Sequence, residues 1–472
     1  MSKPKVLFAA SEVYPFAKSG GLADVAYSLP CALDAKYDVH VVMPLYASLN
    51  REKFAIKSLE EFFEIKMGGV LYKIEIFGCS YAGQSYRFVY TPLLCEREFL
   101  YGPPECGYED NALRFGIFNH ALVAMLEKGA YEIAHLNDWQ CALVPLLLKE
   151  NAQVQTKTIF TIHNLAYQGV FDFSYLKKIG VDEKYFTMDG VEFYNQINFL
   201  KAGIAYSDVI TTVSPKYAKE ILTPAFGCGL EGFLRLHKKK LSGILNGIDT
   251  DHFLPPFSDV QGKAVSKKAY LKEVGLKGAT KPLFVFVSRF TWQKGMDLLI
   301  EIVAKLALKE CNIAILGEGE EKYHAQLKAI AALHVNVHVS LGYDEALSHR
   351  MYGAADFLLM PSLFEPCGLS QLIAMHFGAL PIVHKVGGLA DTVISYKKFD
   401  AQTKKGCGIA FSGANAKAFM RAVNEALALY KSKKNMNTIV QHNLQCDFSW
   451  DSSARVYSEL YEKTRQKEKN HA

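Results

Sequence analysis

Residues 361–393 read Pro361-Ser-Leu-Phe-Glu-Pro-Cys-Gly-Leu-Ser-Gln371, an apolar stretch, Leu380-Pro-Ile-Val-His384, and Lys385-Val-Gly-Gly-Leu-Ala-Asp-Thr-Val393. The order is loop, helix, strand, glycine-rich turn and helix. The apolar run from Asp356 to Met360 just before it has the composition of a buried parallel strand, and open α/β sheets take their ligands in the turns after such strands. Glu365 and Gly368 therefore fall where chemistry is expected. Lys385-Val-Gly-Gly-Leu-Ala-Asp391 also repeats Lys18-Ser-Gly-Gly-Leu-Ala-Asp24 with one mismatch, so the two halves of the chain share a plan. A glycine pair at a helix start lets backbone amides approach an anion. Each copy reads as a phosphate or sugar cradle, or as a helix start that merely needs a tight turn.

Outward from that stretch, the 472 residues are enough for two domains with full cores. Half are apolar and 21% charged, an ordinary globular composition that argues against disorder. The net charge of +5 is dispersed, with small basic clusters only at Lys238–Lys240 and after Lys463, too little for nucleic acid but suited to an anionic substrate. The run after Lys5 is too short for a signal peptide and reads as a first strand, and runs such as Cys141 to Leu148 are too short to span a bilayer. Ten cysteines without C-x-x-C spacing fit reduced thiols, so a cytoplasmic protein is expected.

Strand-like and helix-like segments alternate through the first half: Lys5–Ala10, Gly21–Asp34, Val39–Pro44, hairpin-like runs at Leu71–Phe77 and Tyr86–Thr91, a helix at Asn111–Leu126, then Ile133–Leu136, Ala142–Glu150 and Lys157–His163. The pattern lapses from Asn164 to Asn195 and resumes at Ser207–Val213. Asn246 to Gly262, with its turn residues and Pro255-Pro256, reads as an interdomain connection. Strands at Leu283–Ser288, Asn312–Leu316, Val335–Ser340, Phe357–Met360 and Leu380–His384, each with a helix after it, make a second domain. Two doubly wound α/β domains facing a central cleft are expected.

Arg289 and Lys294 follow a strand end, five residues apart across a turn closed by Gly295. A planar fork and a point charge there suit a diphosphate leaving group. Asp138, also at a strand end, can orient a hydroxyl or act as a base, and Trp139 can stack on a sugar or pack the core. His163 reads as a hydroxyl-binding side chain or a satisfied core histidine. Gly317-Glu-Gly-Glu-Glu lacks the third glycine of a dinucleotide fingerprint and would repel a pyrophosphate. Zincin and P-loop motifs do not occur.

Taken in order, Lys18-Ser-Gly-Gly-Leu, His135-x-x-Asp138-Trp139, His163-Asn-Leu-Ala-Tyr-Gln-Gly, Asn246-Gly-Ile-Asp, Ser288-Arg-x-x-x-Gln-Lys-Gly, Pro361-Ser-x-Phe-Glu-Pro-Cys-Gly-Leu and Gly387-Gly-Leu-Ala-Asp-Thr-Val resemble bacterial glycogen synthase and plant starch synthase. The resemblance runs from about Val6 to Trp450. It implies the GT-B architecture, two Rossmann-like domains, and retaining transfer of glucose from ADP-glucose to an α-1,4-glucan without a metal or other cofactor. The domains would be 1–246, completed by a C-terminal helix at 451–472, and 247–450. By the same resemblance Arg289 and Lys294 bind the diphosphate, with Lys18 and the amides near Gly20 and Gly21 adding to them. Glu365 holds glucose hydroxyls, with Cys367, Gly368 and Leu369 near sugar or phosphate, and Tyr343 lies against the base. Asp138, His163, Asn164 and Asn246, with Trp139 and Glu12, line the sugar and acceptor side. Leu363 stands where many relatives carry arginine, and Asp251-His-Phe-Leu-Pro replaces a version containing tryptophan. A glycoside hydrolase, a phosphorylase and a non-catalytic glucan-binding scaffold are the competing readings. Three converging cations have little use in a hydrolase.

Overall fold

Short runs such as Lys5-Val-Leu-Phe-Ala and Leu283-Phe-Val-Phe-Val have no polar face, so they are stable only as strands covered on both sides. In the computed structural model, which describes residues 3–103, 106–151, 153–399 and 405–466, they form the parallel centres of two sheets. The described residues up to Val213, Ala218–Asn246 and those from Trp450 onward form one unit, and Ser214–Tyr217 with Gly247–Ser449 form the other.

The first unit contains β1 (Lys5–Ala9), β2 (Asp38–Pro44), β3 (Lys57–Met67), β4 (Val70–Tyr81), β5 (Gln84–Tyr90), β6 (Ile133–Asn137), β7 (Lys157–Ile162), β8 (Val170–Asp172), β9 (Glu192–Phe193), β10 (Gln196–Asn198), β11 (Val209–Thr212) and β12 (Leu241–Gly243). Nine of these make a sheet ordered β12-β11-β7-β6-β1-β2-β5-β4-β3, and β8, β10 and β9 make a small separate sheet in the stretch whose alternation lapses. The chain lays down β1, β2 and β5 in one direction and then returns to place β6 on the other side of β1. The crevice beyond the strand ends at β1 and β6 is thus a topological switch point. Strand β3, not anticipated, turns the expected hairpin into an antiparallel meander of β3, β4 and β5. Its Phe63, Ile65 and Met67 alternate inward, but Phe62, 60% exposed, breaks the contrast between its faces.

The second unit contains β13 (Leu283–Val287), β14 (Asn312–Gly317), β15 (Val337–Leu341), β16 (Phe357–Met360), β17 (Leu380–His384), β18 (Ile394–Ser395) and β19 (Cys407–Phe411). Their order is β15-β14-β13-β16-β17-β19-β18, every pair parallel, with the switch point between β13 and β16. Phe284 stacks on Phe357 at 5.0 Å beneath that point, and Ile302, Val303 and Phe419 are fully buried in the same core. Each such side chain contributes about 1.5–3 kcal/mol, which fixes the strand ends from which the loops spring.

The helix Val260–Glu273 occupies the end of the stretch read as a connection. The helix Asp451–Gln466 belongs to the first unit: Tyr37 Oη donates to Ser458 O at 3.1 Å, and Tyr461 Oη meets His135 Nδ1 at 2.6 Å. The remainder of the C-terminal helix expected to 472 and most of the basic tail lie outside the described residues. Among the described residues no helix is long and apolar enough to cross a membrane, and all ten cysteines are free thiols.

Candidate active site

In the second unit, the turn after β13 and the loop after β16 meet at the switch point. Lys294 ends a short 3-10 turn, Trp292–Lys294, and its Nζ donates to Glu365 Oε2 at 2.7 Å and Oε1 at 3.0 Å. Ser362 Oγ donates to the same Oε2 at 2.9 Å, so Glu365, only 5% exposed, is held by three contacts. Gly295 has φ +71°, and a Cβ there would lie 2.2 Å from the carbonyl oxygen of Pro361; only glycine lets the two loops approach so closely. Gln293 stitches them further, its Nε2 donating to Phe364 O and its carbonyl accepting from Leu363 N. Arg289 is exposed just after β13, and Tyr343, 67% exposed, follows β15.

The second Gly-Gly copy serves this loop. Gly388 N donates to the carbonyls of Glu365 and Pro366, and a Cβ on Gly387 would stand 1.9 Å from Glu365 O. The Gly388 amide is thus spent on the backbone of the loop itself. Gln371, fully buried, donates through Nε2 to Cys367 O, Gly368 O and Thr392 Oγ1, which sets the Cys367-Gly368-Leu369 turn.

In the first unit the loops after β1 and β6 face the other switch point. The amides of Ser19 and Gly20 both point at the buried Glu12 carboxylate, whose pKa burial raises. The first Gly-Gly copy thus already wraps a carboxyl group supplied by the protein. Lys18 pairs with Asp24 at 2.7 Å, so its charge is partly offset within the same loop and helix start, where Gly21 is the first helical residue. Asp138 takes φ +56°, an uncommon conformation for a residue with a side chain. Its carboxylate accepts the amides of His163, at 2.7 Å, and Asn164, while burial pushes its pKa up to about 7 and the nearby Glu12 adds to the rise.

His163 Nε2 lies 2.9 Å from Asn137 Oδ1, and Asn137 Nδ2 donates to Ala9 O at 2.9 Å. That second bond orients the amide, so His163 Nε2 carries the proton. Burial pushes the imidazole pKa down to about 3 and keeps the ring neutral. Asn164 Oδ1 accepts from Ala166 N in a local turn. Asn246 is buried, and among the described residues its Oδ1 accepts no hydrogen bond. Trp139 is 9% exposed, with Phe115, Phe171 and Phe199 edge-on to its ring and Gly169 against it. Of its two readings, these contacts are those of core packing. Ser362, Gln293 and Gln371 received no role from the sequence, although all three lie inside the quoted motifs.

Residues 5–236 match the model of the starch synthase catalytic domain, and residues 268–442 that of glycosyl transferases group 1. The chain is 40% identical over 480 residues to a glycogen synthase of Syntrophotalea carbinolica, covering 97% of this chain and 98% of that one. It is 39% identical to a glycogen synthase of Aquifex aeolicus, covering 98% and 99%. The catalytic domain of starch synthase IV from Arabidopsis thaliana, solved with ADP and acarbose, superposes with a TM-score of 0.91 at 33% identity over 98% of this chain and 100% of that one. Sucrose-phosphate synthase from Thermosynechococcus elongatus shares the fold at a TM-score of 0.65 and 18% identity, over 98% and 99%. The fold is GT-B, and the chain belongs to the glycogen and starch synthase family of glycosyltransferases.

Proposed function

We propose that this protein extends an α-1,4-glucan by transferring glucose from ADP-glucose to its non-reducing end, with retention at the anomeric carbon and release of ADP. The observation that carries this reading is the Lys294–Glu365 pair at the switch point of the second sheet. An ammonium has three donors, and two are engaged by the Glu365 oxygens. The third is left for a phosphate oxygen, so one lysine links the leaving group to the carboxylate that holds the sugar. Arg289 adds a second cation from the same turn, and Lys18 a third when it leaves Asp24. These cations offset the diphosphate charge, so the proposed reaction needs no metal.

In this reading the acceptor hydroxyl oxygen bonds to the anomeric carbon as the bond to the phosphate oxygen breaks, and its proton passes to that phosphate. Glu365 faces the positive charge that develops on the sugar. Asn246, Asn164, His163 and Asp138 serve the sugar and acceptor side, and Tyr343 the base. A hydrolytic role for Glu365 is disfavoured, because the cation held against it, with Arg289 in the same turn, has little use in a hydrolase.

The test is nucleotide release from ADP-glucose and UDP-glucose, each with and without glycogen, in the presence of EDTA. Glucan-dependent release, faster from ADP-glucose, is expected. Release that needs no glucan, or none from either donor, would return the hydrolase and scaffold readings.

A further inference from the structure

We propose that His252, Glu345 and His349 form a binding site for a first-row divalent metal of the zinc class, separate from the transfer chemistry. One potential ligand atom from each lies within 4.8 Å of the other two. Zinc ligands about 2.0–2.1 Å from the ion stand roughly 3.4 Å apart, so closing this set calls for shifts of the ligand atoms of about 1–1.5 Å. Glu345 and His349 are one turn apart on the helix Glu345–Ala354 and share its face. His252 comes from a different segment, already set against them: its Nε2 is 2.8 Å from Glu345 Oε1.

Both supports are preorganised. Asp249 Oδ1 accepts the amides of Asp251 and His252 at 3.1 and 2.9 Å, which fixes the turn carrying His252. Asp344 Oδ1 caps the helix through Leu347 N at 2.8 Å. The Phe253 ring lies 4.9 Å from that of His349 and walls one side. All three ligand residues are half-buried, so an ion can enter and keep water in a fourth position. Two imidazoles and one carboxylate favour zinc, nickel or cobalt over calcium or magnesium, which take oxygen ligands. A bound ion would clip the segment that follows Asn246 to the start of this helix, two residues beyond Tyr343, and stabilise the folded chain through binding.

The experiment uses the full chain stripped with EDTA and then desalted. Zn2+ binding is followed by calorimetry, Co2+ binding by absorption, and melting with and without Zn2+, for wild type, His252→Ala and Glu345→Gln. The expected result is one equivalent bound, Co2+ bands without thiolate charge transfer, and a Zn2+-dependent rise in Tm. Affinity should fall about tenfold or more in each variant. Glu345→Gln keeps a side-chain acceptor for His252, so it reports on the ion even where His252→Ala disturbs the turn. Equal binding by wild type and variants, thiolate charge transfer to Co2+, or no binding would each overturn the proposal. Glucan-dependent ADP release in EDTA reads the transferase assignment separately.

Discussion

Glu365 is held by an ammonium, a hydroxyl and a backbone that no other residue type would position. Replacing it by glutamine keeps an acceptor for Lys294 but removes the charge opposite the developing positive sugar. Turnover should fall about a hundredfold or more, with a stability loss of about 1–3 kcal/mol; near-normal kcat would take Glu365 out of the mechanism. Lys294→Ala should impair donor use more than acceptor use, and an unchanged donor KM and kcat would refute its assignment to the leaving group. Asp138 makes a prediction in pH. Its folded pKa of about 7 lies above the ordinary value of 3.8, so the native state holds this proton more tightly than the unfolded chain does. The carboxyl therefore favours folding at low pH, and that stability is lost as pH rises from about 4 to 7. Asparagine does not titrate. The Tm of Asp138→Asn relative to wild type should increase between pH 5 and 8, and a flat difference would exclude the raised pKa.

Among the elements, the glycine-rich helix start at Gly387 shows how one motif takes opposite uses in the two units. In the first unit its counterpart wraps a buried carboxylate; in the second it braces the backbone of Glu365. Gly387→Ala puts a methyl 1.9 Å from Glu365 O at φ +42°. A loss of about 1–3 kcal/mol is expected from strain. A fall in kcat of about tenfold or more should accompany it, since small misplacements of a reacting group are costly. Wild-type kcat in a destabilised variant would show that Gly387 supports the fold alone. The helix Val260–Glu273 teaches a different lesson. Its inward face is Lys263, Lys267, Tyr270 and Leu271, so no apolar stripe announces it. Lys267 pairs with Asp356, and Lys263 donates to the carbonyls of Gly353 and Phe377 at the ends of two other helices. Burial there rests on partners hundreds of atoms away in the chain, which local periodicity does not register.

At the scale of the whole molecule, the chain returns to its beginning. His135 is enclosed by Tyr461 and Thr161, with Phe8 and Tyr457 against its ring, and burial pushes its pKa down to about 3. Tyr461→Ala removes a fully buried ring and a hydrogen bond together, and should cost about 3–5 kcal/mol in chemical denaturation. A loss under about 1 kcal/mol would mean that the terminal helix is not part of the first unit's core. The alternation of apolar runs and helices, and the polar and glycine residues at each strand end, are local properties, and they suffice for the parallel cores of two α/β sheets and for the positions of Arg289, Lys294, Glu365, Asp138 and His163 after strands. Local pattern carries that much because a strand buried on both faces must be apolar throughout and its following turn must be polar or glycine. Which groups touch is another matter. That Lys294 donates to Glu365, that Lys18 pairs with Asp24, that Trp139 packs among Phe115, Phe171 and Phe199, and that His252 meets Glu345 and His349 were decided only by tertiary structure. The Lys18–Asp24 pair is local, six residues apart, and is set by the loop that carries it; the others depend on residues far apart in sequence being brought within a few ångströms, and charge pairing or ring packing at that range leaves no periodic trace along the chain.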